Sequence, residues 1–337
     1  MTGEHRMLKA AVIGVGAMGQ HHARVYDQMQ GIELIGVADA NAEASGRIAQ
    51  LYHTVAYTDY RRLLHKAQPE VVTVAVPTEF HHQVALDALE TGCHVLIEKP
   101  IAATEEQARE LIERAEVLER KLMVGHIVRF DPAVQALKER LKAGELGRIF
   151  QVRCRRLGPF PARVRDVGVI IDLATHDLDL IRYLTGQEAV RVYAETEQEI
   201  HSIYEDILIG TVRLADGTIG VLDINWLTPT KIRELTVTGE RGMFLVNHLT
   251  QDLYFYENAE ADGERWDAIS LLRGVSEGRM IRYPVRKYEP LKAELEGFVR
   301  AVVSDEPVPV DGWDGLAALR LARALVQSGH EGRPITF

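Results

Sequence analysis

The chain has 337 residues, a length that predicts about two domains with enough material for buried cores. Its 39 basic and 49 acidic residues give a formal net charge of -10, which excludes a general nucleic-acid binder because such a protein must neutralise phosphates. Apolar residues make up 46% and charged residues 26% of the chain, values that argue against disorder and against a membrane bundle.

The sequence also bears on the cellular compartment. The apolar run that follows residues 1–9 is broken by glycines, which is unlike a signal peptide. No stretch approaches the roughly 18 to 20 apolar residues that a membrane-spanning helix needs. Cys93 and Cys154 form no C-x-x-C pair, so no disulfide is expected. We therefore expect a cytoplasmic protein with no membrane or nucleic-acid partner.

The first part of the chain alternates short apolar segments with helical patterns. Strands are predicted at residues 8–13, 32–38, 71–76 and 94–97. This alternation is typical of a doubly wound parallel sheet with helices on both faces. Thr104 and Gln107 form a capping box, which predicts a helix whose buried stripe comprises Ala108, Leu111, Ile112, Ala115 and Leu118.

After Gly147 the pattern changes to alternating polar and apolar residues. Asp216 and Gly217 predict a hairpin turn between strands at 207–214 and 218–226. A second hairpin is predicted at 231–247 and a further strand at 253–256. Pro290 suits the first turn of a late helix. The second part is therefore expected to be an α+β domain with an open, mainly antiparallel sheet.

The first chemical motif is Gly14-Val15-Gly16-Ala17-Met18-Gly19, which lies directly between a predicted strand and a predicted helix. In this context the glycines allow a tight turn, close approach of the backbone to a pyrophosphate, and close helix packing. Asp39 follows at the end of the second strand, where a carboxylate can accept the ribose hydroxyl protons. The pattern predicts NAD rather than NADP, although Arg47 leaves contact with a 2'-phosphate open.

The second motif, Glu98-Lys99-Pro100, lies at the carboxyl end of a predicted strand, the edge where open parallel sheets bind ligands. Lys99 is therefore expected to face the nicotinamide. An ammonium group there can hold a substrate oxygen while a hydroxyl loses its proton. A solvated lysine at a strand end is the alternative.

The third motif runs from Asp172 to Asp179 and opens a helical pattern that ends at Gly186. Asp172 and His176 are four residues apart, so a helix places both on one face, where the carboxylate can orient an imidazole suited to acid–base work. Alternatively, Asp172 caps the helix and His176 lies on the surface. A metal site with Asp179 would lack further ligands, so no metal is expected.

Together these motifs resemble the Gfo/Idh/MocA oxidoreductase family across both halves of the chain. The resemblance implies a Rossmann domain at 1–126 and a substrate-binding and oligomerisation domain at 127–337, with C-terminal helices that pack back on the first domain. It implies Lys99, Asp172 and His176 as the catalytic set, with His176 as the base. It also implies a cis Pro100 and a homodimer or homotetramer.

The predicted cofactor-binding residues are Gly14, Gly16, Ala17, Met18, Gly19, Asp39, Pro77, Thr78, His81, Glu98 and Lys99. The predicted substrate-binding residues are His126, Arg129, Arg156, Arg163 and Asp172. A helix-surface role for His81 and a core role for His126 stay open.

Arginines concentrate before the third motif, at positions 148, 153, 155, 156, 163 and 165. Guanidinium groups bind diphosphates well, whereas a solvated arginine-rich loop is the alternative. On a strand Arg153 and Arg155 share a face and Arg156 takes the other. The segment from Arg156 resembles the branch of the family that oxidises C3 of UDP-N-acetylglucosamine. The expected function is therefore NAD-dependent oxidation of a UDP-sugar; a free sugar or inositol dehydrogenase, or a non-catalytic NAD-binding sensor or scaffold, are the alternatives.

Overall fold

The computed structural model describes residues 7–161, 167–259 and 277–337. The chain divides into two compact units, Met1–Ile127 with Glu289–Arg320, and Val128–Tyr288 with Leu321–Phe337. Residues 289–320 group with the first unit, in line with the predicted packing of C-terminal helices on the first domain, although the predicted boundary had counted them with the second domain. One reason is pairing with the first sheet: the Val124 N–H donates to the Val310 carbonyl at 3.1 Å.

Fifteen strands and nine longer α-helices are assigned among the described residues. The strands are β1 Leu8–Ile13, β2 Ile32–Ala38, β3 Ala56–Tyr57, β4 Val71–Val74, β5 His94–Glu98, β6 Leu122–Gly125, β7 Ile149–Pro159, β8 Ala189–Glu197, β9 Ile207–Leu214, β10 Ile219–Asn225, β11 Leu227–Gly239, β12 Gly242–Asn247, β13 Asp252–Asn258, β14 Glu277–Tyr283 and β15 Ile335–Thr336. The helices are α1 Gly19–Gln28, α2 Ala42–Leu51, α3 Tyr60–Ala67, α4 Thr78–Glu90, α5 Glu105–Val117, α6 Pro132–Lys142, α7 Thr175–Thr185, α8 Pro290–Val303 and α9 Gly312–Glu331.

The first unit is built on a six-stranded sheet in the order β3-β2-β1-β4-β5-β6, and all its strand pairs are parallel. The strands read as continuous apolar runs because helices cover both faces. All four residues of β4, for example, are buried. This is the strand order of a doubly wound sheet. In such sheets, ligands bind at the carboxyl ends of the strands, where neighbouring connections leave the sheet in opposite directions. The predicted Rossmann architecture is confirmed.

Local signals explain several boundaries of the first unit. β1 and β2 have the predicted bounds, whereas β4 ends at Val74, two residues before the predicted end. The Thr104 hydroxyl accepts the Gln107 N–H at 3.3 Å and caps α5, but Oε1 of Gln107 has no hydrogen-bond partner among the described residues, so only half of the predicted capping box forms. Leu118 is the C-cap of that helix and is only partly buried, so it is not a full member of the predicted stripe.

The second unit contains a nine-stranded sheet in the order β14-β13-β12-β11-β7-β10-β9-β8-β15. Its pairs are antiparallel except for β7 and β10, which run parallel. The predicted turn at Asp216-Gly217 joins β9 to β10. β11 begins at Leu227, earlier than predicted, and its register with β7 is irregular between Leu227 and Ile232. One face of this sheet holds a core that includes Trp226 and Phe244. The mainly antiparallel α+β prediction is confirmed.

Two further features concern the whole described chain. Cys93 and Cys154 are free and buried, one in each unit. Burial raises the pKa of both thiols, since a thiolate is poorly solvated in an apolar environment. Within the described residues, no helix combines the length and apolar character needed to cross a membrane.

Candidate functional site

The glycine-rich turn between β1 and α1 has the geometry of a pyrophosphate cradle. Gly14 has a φ of +86°, and a Cβ there would lie 2.6 Å from the Ala75 carbonyl oxygen. A Cβ on Gly19 would lie 1.7 Å from the Gly14 oxygen, so only glycine lets the helix approach the turn. At Gly16 a Cβ would meet nothing within 4 Å, which leaves backbone open to an incoming ligand. These three positions fit the diphosphate of a dinucleotide.

Ala17 and Met18 complete the turn and are exposed, with Met18 as the N-cap of α1. Asp39 lies beside the turn at the end of β2. Its Oδ2 accepts the Val15 N–H at 2.8 Å and its Oδ1 accepts the Asn41 N–H at 2.9 Å. Each carboxylate oxygen has a second lone pair that a ribose hydroxyl can use. The structure thus brings Asp39 and the glycine turn together, and contact with NAD stays a prediction.

Pro77, Thr78 and His81 follow β4, the neighbour of β1 in the sheet. Pro77 is exposed as the N-cap of α4 and Thr78 is its first residue. His81 is buried, with Nδ1 2.8 Å from the Pro100 carbonyl and Nε2 2.9 Å from the Val76 carbonyl. The surface alternative for this histidine is therefore wrong. Its ring nitrogens connect the loops after β4 and β5, which makes it a support for the edge where the cofactor is expected.

Burial lowers the pKa of His81, although hydrogen bonds to the two carbonyls oppose that shift. A neutral imidazole can donate to only one of those carbonyls at a time. Its ring nitrogens are thus occupied by backbone, and its predicted contact with the cofactor stays a prediction.

The Glu98 side chain, at the end of β5, is buried within the first unit. Its Oε1 lies 2.8 Å from His22 Nε2 on α1, and its Oε2 accepts the Lys99 N–H at 3.2 Å. Burial by itself would raise the pKa of Glu98, but the hydrogen bond and charge of His22 bring that pKa below its ordinary value. We expect an ionised carboxylate that fixes the backbone of Lys99. The Lys99–Pro100 bond is cis, as the resemblance implies.

Glu294 on α8 is a residue that the sequence reasoning missed. It is fully buried, and neither carboxyl oxygen has a hydrogen-bond partner among the described residues. Burial and the negative charge of Glu98 raise the pKa of Glu294 well above its ordinary value. A neutral carboxylic acid is therefore expected next to the His22–Glu98 pair. Its signal in the sequence is spacing, since Glu294 lies three residues after Leu291 and four before Phe298, on the apolar face of the helix.

In the second unit, Asp172 and His176 lie at the start of the helical segment. Asp172 belongs to a π-helical turn, Ile170–Ala174, and His176 to the first turn of α7. The N-cap of α7 is Ala174, so the alternative in which Asp172 caps this helix is wrong. Both side chains are partly buried, and a purely exposed His176 is excluded. Their catalytic roles stay predictions.

Two of the predicted substrate-binding arginines form ion pairs within the second unit. Arg156 donates from Nε and Nη2 to the Asp177 carboxylate at 2.9 and 2.6 Å. Arg129 makes the same two-pronged contact with Asp179 at 2.7 and 2.5 Å. Both pairs are buried, which explains why α7 carries two carboxylates on its covered side. Substrate contact by Arg129 and Arg156 stays a prediction, but each guanidinium already has a structural partner.

The remaining predicted substrate residues are placed as follows. His126 follows β6 and is buried, whereas Arg163 lies outside the described residues. Arg155, on the opposite face of β7 from Arg156, pairs with Asp223 and Glu234. The predicted division of the arginines between two faces is confirmed. Across the described ranges, no group of three or more His, Cys, Asp or Glu side chains is arranged to hold a metal ion.

A doubly wound sheet with a glycine turn and an acidic residue after β2 defines a dinucleotide-binding protein of the Rossmann class. Comparisons with known proteins agree: residues 8–126 match the Gfo/Idh/MocA "Oxidoreductase family, NAD-binding Rossmann fold", and residues 134–245 match the "GFO/IDH/MocA C-terminal domain". The chain therefore belongs to the Gfo/Idh/MocA oxidoreductase family.

Individual relatives share nearly the whole chain. It is 32% identical over 324 residues to UDP-N-acetylglucosamine 3-dehydrogenase of Acidithiobacillus ferrooxidans, covering 95% of this chain and 98% of the relative. It is 27% identical to inositol 2-dehydrogenase of Rubrobacter xylanophilus, covering 99% and 94% respectively. A solved structure of UDP-N-acetylglucosamine 3-dehydrogenase from Acidithiobacillus ferrooxidans superposes with a TM-score of 0.85 at 30% identity, covering 96% of this chain and 97% of that chain.

The family assignment makes the protein an oxidoreductase with an NAD-binding Rossmann domain, in a family of sugar and polyol dehydrogenases. This family assignment favours an enzyme over a non-catalytic NAD-binding sensor or scaffold.

Proposed function

We propose that this protein oxidises a secondary hydroxyl of a UDP-sugar, C3 of UDP-N-acetylglucosamine or a close analogue, with NAD as cosubstrate. The observation that carries the proposal is the similarity to a UDP-N-acetylglucosamine 3-dehydrogenase over 95% of this chain. The glycine turn and Asp39 support the choice of NAD, because an acidic residue at that position favours a free 2'-hydroxyl over a 2'-phosphate.

In the proposed reaction His176 accepts the proton of the substrate hydroxyl. Proton transfer by a placed side chain typically contributes about 10²- to 10⁴-fold to a rate. Lys99 holds the hydroxyl oxygen as its negative charge grows, and Glu98 fixes the Lys99 backbone through its N–H. Asp172 orients the substrate and the imidazole. When bound, NAD supplies the acceptor for the hydride.

The first experiment measures formation of reduced nicotinamide by cofactor-free protein supplied with NAD and a substrate panel. The panel contains UDP-N-acetylhexosamines, free N-acetylglucosamine, simple glucosides and myo-inositol. Turnover confined to the UDP-sugars, with competitive inhibition by UDP, is the expected result. Turnover of inositol or of free sugars alone would contradict the proposal.

The role of His176 is tested by His176→Ala, with His65→Ala as a matched control on the exposed face of α3. We expect His176→Ala to lower kcat by about 10²- to 10⁴-fold with an unchanged Kd for NAD. His65→Ala should behave as wild type. A near-normal kcat for His176→Ala would show that another group takes the proton.

A second candidate, an inositol dehydrogenase, is favoured by the inositol 2-dehydrogenase that matches 99% of this chain at 27% identity. The same substrate panel separates the two functions. A homodimer or homotetramer stays a prediction, which light scattering of the purified protein tests.

A further inference from the structure

Arg233 is a cation on the core face of the second sheet. Along β11 it shares a face with Leu235 and Val237, both of which are buried. Its partner in the β7 ladder is Arg156. The structure therefore places two guanidinium groups on neighbouring strands of the face that also carries the Arg156–Asp177 ion pair.

The two arginines differ in what balances their charge. Arg156 is neutralised by Asp177. Arg233 donates only from Nη1, to the carbonyl of Leu157 and to its neighbour Ile232 at 2.9 Å. In the part of the chain that the structure describes, no carboxylate lies within ion-pair distance of Arg233. The Nε and Nη2 protons are thus available for an acceptor from outside the protein.

The surroundings of Arg233 are unfavourable for an unbalanced cation. Partial burial and the positive charge of Arg156 lower the pKa of Arg233, while the negative charges of Asp177 and Asp172 act in the opposite direction. A guanidinium nevertheless stays charged in a protein. A partly buried charge without a partner costs free energy, so an incoming oxyanion would stabilise the Arg233 guanidinium by balancing its charge.

Gly158 on β7 lies beside the Arg233 guanidinium. A Cβ on Gly158 would lie 3.7 Å from both Nη atoms of Arg233 and 3.6 Å from Cγ of Lys231. Glycine at 158 therefore leaves space where any other residue would contact the cation. Lys231 is exposed and adds a second positive charge near this space.

We propose that Arg233, with Lys231 beside it, binds an anionic group of the substrate, namely a phosphate of the nucleoside diphosphate. The identity of the anion rests on the proposed function, whereas the cationic site itself does not. The sequence predicts substrate contact for Arg156, and the proposal adds Arg233, its neighbour in the β7–β11 ladder, as a diphosphate ligand. Its fork of N–H donors matches two phosphate oxygens.

The test compares Arg233→Gln with Arg153→Gln, which removes an exposed arginine from the opposite face of β7. Calorimetric titration of the NAD-saturated protein uses UDP, uridine and inorganic phosphate as probes. We expect Arg233→Gln to weaken UDP binding by about 10- to 100-fold and to leave uridine and NAD binding unchanged. Arg233→Lys should recover part of the loss, and Arg153→Gln should match wild type.

Three results would overturn the inference. They are unchanged UDP binding by folded Arg233→Gln, equal losses for UDP, uridine and NAD, and a loss in Arg153→Gln as large as in Arg233→Gln. If Arg233→Gln does not fold, Arg233→Lys and the exposed Lys231→Gln decide, since each should weaken UDP binding and spare uridine binding.

Failure of the proposed function gives a different pattern. A wild-type protein that turns over only uncharged sugars and binds no UDP would refute the UDP-sugar proposal. In that case, phosphate binding that disappears in Arg233→Gln still supports the cationic site, and its persistence in that variant overturns the site as well.

Discussion

Replacing Arg156 by alanine should destabilise the second unit severely, because the variant leaves Asp177 buried without a partner. Arg156 is 8% exposed and Asp177 is 2% exposed, and two short hydrogen bonds join them. Breaking such a buried pair from one side typically costs about 3 to 5 kcal/mol. Replacing both residues together by leucine removes both charges, so we expect that double variant to lose much less stability than Arg156→Ala.

Urea unfolding followed by circular dichroism, with hydrogen exchange of the β7 and α7 amides, measures these differences. The matched control is Arg155→Ala on the other face of β7, where the arginine is 38% exposed and pairs with Asp223 and Glu234. Partly exposed pairs are worth about 0 to 1 kcal/mol, so the control should stay near wild type. A loss below about 1 kcal/mol in Arg156→Ala would refute the reasoning from burial.

Two further predictions concern the first unit. Asp39→Ala should lower the ratio of NAD affinity to NADP affinity by about 10- to 100-fold, measured by titration with each cofactor, because, of the two cofactors, only NAD has a free 2'-hydroxyl that can donate to the carboxylate. An unchanged ratio would contradict this role. Glu294→Gln should be more stable than wild type at pH 8 but not at pH 4, as judged by urea midpoints. The folded-state pKa of Glu294 is raised, so its contribution to stability is complete below the unfolded pKa of about 4.3 and is lost as the pH rises. A stability difference that does not change with pH would contradict the raised pKa.

Local chemistry made much of the first unit predictable. The glycine turn, the bounds of β1 and β2, and the Thr104 N-cap of α5 each depend on residues close together in sequence. The same holds for the Asp216-Gly217 turn, where two residues fix the geometry of a hairpin. Such features are visible because the interacting groups lie within a few positions of each other.

Features that depend on distant pairing were not predictable. The parallel partner of β7 is β10, about 70 residues away in sequence, and no local pattern specifies that ladder. The ion pair of Arg156 with Asp177 joins β7 to α7, and the pairing of Arg156 with Arg233 joins β7 to β11, so both depend on segments that are distant in sequence. The π-helical turn at Asp172 likewise breaks the regular spacing from which a uniform helix was predicted.

The two free cysteines give each unit a chemical reporter of its own. Cys93 lies in the first unit and Cys154 in the second, and both thiols are buried with raised pKa values. Alkylating reagents attack the thiolate, so neither cysteine should react until its own unit opens. Mass spectrometry of the alkylated protein then distinguishes opening of one unit from opening of the other.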